Sequence, residues 1–176
     1  MPQLIKDRAV VIDAWALLRN ATSLADLPEK GSVIVPLALW LQRRHALFAR
    51  GSVGVLLAPA DDPATLVDDT ATLPLVAVDF PQFTDGRGYS TGRLLREKYG
   101  FKGELRAVGD VLRDQLYYLA ASGFNTFALR DDRDARDALP AFGDFSDNYQ
   151  ATVAQPMPYF RRRDAFASSG NPGSGQ

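Results

Sequence analysis

The chain has no cysteine and a single histidine, His45, in 176 residues. The first absence excludes disulfides, thiolate nucleophiles, cysteine-bound zinc and cysteine-held iron–sulfur clusters. The second excludes a multi-histidine metal centre within one chain, and no metal site is expected. Neither sign of charge is in excess: 20 Lys and Arg stand against 21 Asp and Glu, a formal net charge of −1. No global field recruits nucleic acid or an acidic membrane surface, so neither is an expected partner. No apolar run reaches the roughly 18 residues of a membrane span. The first residues mix acids and bases, unlike a signal peptide. A cytoplasmic protein is the expectation.

What is present is the composition of a globular chain, 46% apolar and 23% charged, long enough for one domain with a sizeable core. "LIKDRAVVIDAW" reads as two short strands around a polar "KDR", an N-terminal hairpin. After the loop "NATSLADLPEKG", short β-branched or apolar runs alternate with helical patterns. "SVIV", "SVGVLLA", "LPLVAVD", "ELRAVG" and "NTFALR" read as strands. "LALWLQRRHALFAR", "DDPATLVDDTATL", "STGRLLREKYG", "DVLRDQLYYLAASG" and "DDRDARDALPAF" read as helices. Ser90 and Asp110 are the expected caps of the third and fourth. The alternation predicts an α/β fold of about five parallel strands, as an open wound sheet or a partial barrel. Residues 1–165 form the expected single domain. The Gly- and Ser-rich residues 166–176 form an expected disordered tail.

In parallel α/β folds ligands collect at the carboxyl ends of strands. There the sequence sets Asp61 and Asp62, then Asp79 and "DGRG", then Asp110, then Arg130 and Asp131. Arg106 lies inside "ELRAV", a strand buried on both faces, where an unpaired guanidinium is costly. Asp79, Asp110 or a bound anion are its expected partners. In "DGRGYSTG" the glycines superficially match a dinucleotide loop. The third is one place late, however, and Gly86 lies seven residues beyond Asp79. Two readings of that loop stand. In one, Gly86 and Gly88 expose backbone N–H groups, Ser90 opens a helix, and Arg87 and Tyr89 add contacts to an oxyanion. In the other, Asp85 closes a structural turn and Arg87 is solvated. His45 reads as a surface histidine. "PYFRRR", residues 158–163, is a local basic patch beside aromatics.

The block "LPLVAVDFPQFTDGRGYSTGRLLREKYGFKGELRAVGDVLRDQLYYLAASGF" resembles a bacterial family of uncharacterised conserved proteins, domain of unknown function 934. "VIVPLALWL", "GVLLAPADDP" and "FGDFSDNYQATVAQPMPYFRRR" resemble its flanks. The resemblance implies a role beside assimilatory sulfite reductase, because members are commonly encoded next to its haemoprotein subunit. That subunit is then the expected partner. Relatives often carry cysteine where this chain has Ser122. The resulting expectation is an accessory protein of sulfite reduction that acts through a reductase partner or an anionic ligand. The candidate residues are Asp79, Asp85, Gly86, Arg87, Gly88, Tyr89, Ser90, Arg106 and Asp110. The alternative is a stand-alone enzyme acting on an oxyanion-bearing small molecule, with Asp79 or Asp110 as acid or base and a flavin or nicotinamide as conceivable cofactor. A third reading, a scaffold with structural ion pairs alone, makes Arg106→Ala unfold the protein and Arg87→Ala silent.

Overall fold

The structure is a computed structural model and describes residues 2–130 and 132–143. The expected tail and "PYFRRR" lie outside the described residues.

Eight strands form one sheet: β1 (Gln3–Lys6), β2 (Ala9–Ile12), β3 (Trp15–Leu17), β4 (Ser32–Pro36), β5 (Val53–Leu57), β6 (Leu75–Phe80), β7 (Glu104–Gly109) and β8 (Thr126–Phe127). Their order across the sheet is β2-β1-β8-β7-β6-β5-β4-β3. β3 to β8 are mutually parallel, while β1 runs antiparallel to both β2 and β8. The expected α/β class and dominant parallel pairing are therefore present. The parallel set has six strands rather than five. "DAW" does not continue the hairpin; it opens β3 on the far edge. The hairpin itself does more than precede the sheet, because β1 joins it beside β8.

Parallel neighbours in sequence order, joined by same-handed crossovers, put the described helices on one face. These are α1 (Leu37–Gln42), α2 (Arg44–Arg50), α3 (Arg87–Arg93), α4 (Leu116–Ala121) and α5 (Ala135–Ala138). Strand alternation sends Val33, Val55, Val78, Phe80 and Leu105 into the large core with Trp40, Leu47, Leu95 and Leu119 of the helical layer. The opposite alternates, Ile34, Leu56, Leu75, Ala77 and Val108, form a smaller cluster on the other face, which carries no helix among the described residues.

That second face is concave. β2 and β3 lie at opposite edges of eight strands, seven spacings or roughly 34 Å apart along the sheet. Yet only two residues link Ile12 to Trp15, so their Cα atoms are within about 11 Å. The sheet must curl until its edges meet at that point, and it is a curled half-barrel. Side chains cross the hollow accordingly. Arg19, just past β3, reaches Asp79 on β6, with 2.7 Å between Nη1 and Oδ1.

Four expected helices differ in detail; "LALWLQRRHALFAR" breaks at Arg43 into α1 and α2. α3 begins at Arg87, before Ser90, because the Asp85 carboxylate already accepts the Arg87 N–H at 3.1 Å. Ser90 is an exposed residue inside the helix rather than its cap. α3 continues as a wider, π-type turn over Leu94–Lys98. Asp110 caps no helix. The turn before α4 starts at Arg113, where the Gln115 side chain accepts the Leu112 N–H at 2.9 Å. "DDPATLVDDTATL" forms a single 3-10 turn, Pro63–Leu66, capped by Asp62. Its β-branched and Asp residues favour turns over a longer helix.

Candidate functional site

The concave face carries a polar network at the heart of the half-barrel. Alternation along β7 directs Glu104, Arg106 and Val108 into the hollow. Arg106 is 3% exposed. Its Nε and Nη2 donate to Glu104 Oε1 at 2.9 and 2.8 Å, and its Nη1 donates to Asp13 Oδ1 at 2.9 Å. Lys6 Nζ donates to the other oxygen of Glu104 at 2.8 Å. Two cations and two carboxylates therefore balance. Asp13 sits in the link between the two sheet edges and also accepts the Trp15 N–H at 3.0 Å, so one carboxylate starts β3 and ties the seam to β7. Burial raises the pKa of Glu104, but the hydrogen bonds and charges of Lys6 and Arg106 outweigh it and leave a net lowering.

Above this network, at the carboxyl half of the strands, opens a cavity of about 650 Å³. Leu17, Ile34, Val108, Ala128 and Leu129 give it an apolar wall, and Arg19, Arg106, Arg130, Asp13 and Asp132 a polar one. Arg19 and Arg130 keep 40% and 44% of their side chains exposed. Each is held by carboxylates. The Arg19–Asp79 contact is short, but no N–H is directed at Asp79 Oδ1, so it is an ion pair without a well-formed hydrogen bond. Arg130 lies 3.3 Å from both Asp110 and Asp132. Asp110 is fixed in turn by the Phe83 N–H at 3.0 Å.

The sequence candidates separate into two groups. Arg106 lines the cavity, Asp79 holds Arg19 and Asp110 holds Arg130. The partners of Arg106 are Glu104 and Asp13, not the expected Asp79 or Asp110. Asp85, Gly86, Arg87, Gly88, Tyr89 and Ser90 lie away from this cavity. Asp85 takes both the Nε and Nη2 of Arg87, at 3.0 and 2.8 Å, together with its backbone N–H. The hydrogen bonds from Arg87 lower the pKa of the Asp85 carboxyl. Gly88 is buried where an added Cβ would strike the Phe80 ring, which lets α3 pack directly on β6. Tyr89 packs edge-on against Phe80 at 5.6 Å, and burial raises its hydroxyl pKa. Arg96 is a staple, donating to the carbonyls of Gly123, Phe101 and Gly103 at 2.8–2.9 Å. Ser122 is buried in the helical layer, its hydroxyl donating to the Tyr118 carbonyl. His45 is exposed. Because Arg87 is solvated and paired within its own turn, Arg87→Ala is expected to leave the melting temperature unchanged in a thermal scan.

Sequence reasoning missed Arg19, Asp13 and Glu104. Glu104 carried a signal, since residues two apart on a strand share a face. Asp13 and Arg19 carried none, being 93 and 60 residues from their partners.

Among the described residues no group of three or more His, Cys, Asp or Glu is arranged to hold a metal, and no helix is long and apolar enough to cross a membrane. No curated protein and no solved structure matches the chain. A family model described as "Bacterial protein of unknown function (DUF934)" matches residues 54–160, which run from β5 through β8 and past α5. The match takes in Asp79, Arg106, Asp110 and Arg130, while Asp13 and Arg19 come from the segment before it. With more than half of its length so matched, the chain belongs to this family of bacterial proteins of unknown function.

Proposed function

We propose that the protein is an accessory of assimilatory sulfite reduction, binding an anionic ligand at the concave mouth of the half-barrel and acting through the reductase. The observation that carries the anion reading is the pair Arg19 and Arg130. Both guanidinium groups line the cavity, remain partly in solvent, and are oriented by carboxylates behind them. Arg106 is less available, because it is almost fully buried and its carboxylate contacts are 2.8–2.9 Å, against 3.3–3.5 Å for those of the partly exposed Arg130. It serves as a fixed wall. A guanidinium with spare N–H groups takes an oxyanion in a two-point contact, and the low-dielectric apolar wall beside it strengthens that contact. The link to sulfite reduction rests on what the family resemblance implies about the neighbouring reductase subunit. Among the candidates, Gly86, Arg87 and Ser90 are the exposed ones, at and within the first turn of α3, where a protein partner rather than the cavity ligand would meet them.

The test is growth of a deletion strain on sulfate, sulfite or sulfide as sole sulfur source. Growth on sulfide alone is the expected result. Normal growth on all three, with no second copy of the gene to mask the loss, would remove the sulfite assignment. Turnover of an oxyanion substrate by the purified protein alone would favour the stand-alone enzyme, with the same cavity as its active site.

A further inference from the structure

Resting on the anion-site reading, we infer that the cavity ligand is an organic oxyanion with an apolar body, not an inorganic ion. Volume is the first reason. A space of about 650 Å³ holds roughly twenty waters, whereas a sulfite, sulfate or phosphate ion displaces only a few. It falls instead within the range of sites that enclose organic ligands. The second reason is the distribution of chemistry on the wall. The exposed guanidinium groups of Arg19 and Arg130 mark the mouth. The apolar residues Leu17, Ala128 and Leu129, each partly in solvent, line the hollow face itself, beside the buried Ile34 and Val108. An inorganic ion on the arginines leaves this apolar surface wet. A ligand with an anionic head and a hydrocarbon or aromatic body covers it and gains the burial. The third reason is rigidity. The floor is braced by the Lys6–Glu104–Arg106–Asp13 network, so the hollow cannot collapse around a small ion without breaking the buried Arg106 ion pairs.

The experiment is a calorimetric titration of the whole chain with sodium sulfite, sulfate and phosphate, then methanesulfonate, benzenesulfonate and naphthalene-2-sulfonate, and the uncharged 2-naphthalenemethanol. Methyl NMR of Ile34 and Val108 locates the site. The expected result is naphthalene-2-sulfonate binding at least roughly tenfold tighter than methanesulfonate, with shifts at those methyls. Arg19→Gln and Arg130→Gln weaken it, Arg87→Ala does not, and the uncharged alcohol binds poorly. Both arginines are partly exposed, so the two variants should fold, and their melting curves check this. Inorganic sulfite binding as tightly as the aromatic sulfonates, with the same arginine dependence, would overturn the organic body while leaving the anion site standing. If no anion binds, or binding ignores both arginines, the site reading fails as well.

Discussion

Arg106→Ala is expected to lower the free energy of unfolding by about 3–5 kcal/mol. The change removes the cation but leaves Glu104 and Asp13 in the hollow, with side chains only 9% and 14% exposed. An uncompensated buried carboxylate costs far more than the net worth of the ion pair it belonged to. Lys6 relieves Glu104 alone, so the loss concentrates on Asp13 and on the seam between β2 and β3 that Asp13 ties to β7. Urea unfolding measures the effect. Adding Asp13→Asn and Glu104→Gln to the variant should recover part of the loss, because the stranded charges go with the cation. The same network sets an acid limit. The folded pKa of Glu104 lies below its unfolded value, near 4.5. Its contribution is therefore full above that value and disappears as pH falls through the lower folded one. In Glu104→Gln this acid-dependent limb of the stability curve should flatten.

Gly109→Ala is expected to cost about 2–3 kcal/mol. Gly109 closes β7 with φ at +98°, a conformation side chains rarely adopt. An added Cβ would lie 2.5 Å from the Phe80 carbonyl oxygen and 2.8 Å from Asp79 Oδ1. The carbonyl cannot retreat cheaply, because it accepts the Asp110 N–H at 2.7 Å. Asp79 must therefore move, and Arg19 loses the carboxylate that orients it. The variant should show both a lower melting temperature and weaker naphthalene-2-sulfonate binding, although every cavity arginine is intact. Unchanged binding in the folded variant would mean that Asp79 does not position Arg19.

Much of the fold could be read because the central strands are buried on both faces. "VGVLL" is buried throughout and "LVAVDF" nearly so, the signature of a helix-covered parallel sheet. β3 could not be read, since "WAL" follows "VVI" so closely that only the tertiary structure sends it to the opposite edge. The curl was invisible for the same reason: it rests on a two-residue link and on ion pairs between residues far apart in sequence. In the site, Arg106 announced itself as a charge in an apolar strand. Its partners were hidden differently, Glu104 by neglect of strand alternation and Asp13 by distance. The loop "DGRGYS" drew attention through composition, but composition cannot tell a glycine that exposes backbone from one, like Gly88, that admits a neighbouring ring.

The fates of Arg106→Ala and Arg87→Ala are those that a purely structural scaffold would also show, so neither decides function. Arg19 and Arg130 decide it. The most direct measurement is complementation of the deletion strain on sulfite by the Arg19→Gln/Arg130→Gln double variant, with protein levels matched to wild type. The expected result is no growth on sulfite and normal growth on sulfide. Full rescue by the double variant would contradict the account, because the mouth of the half-barrel would then not be where the protein acts.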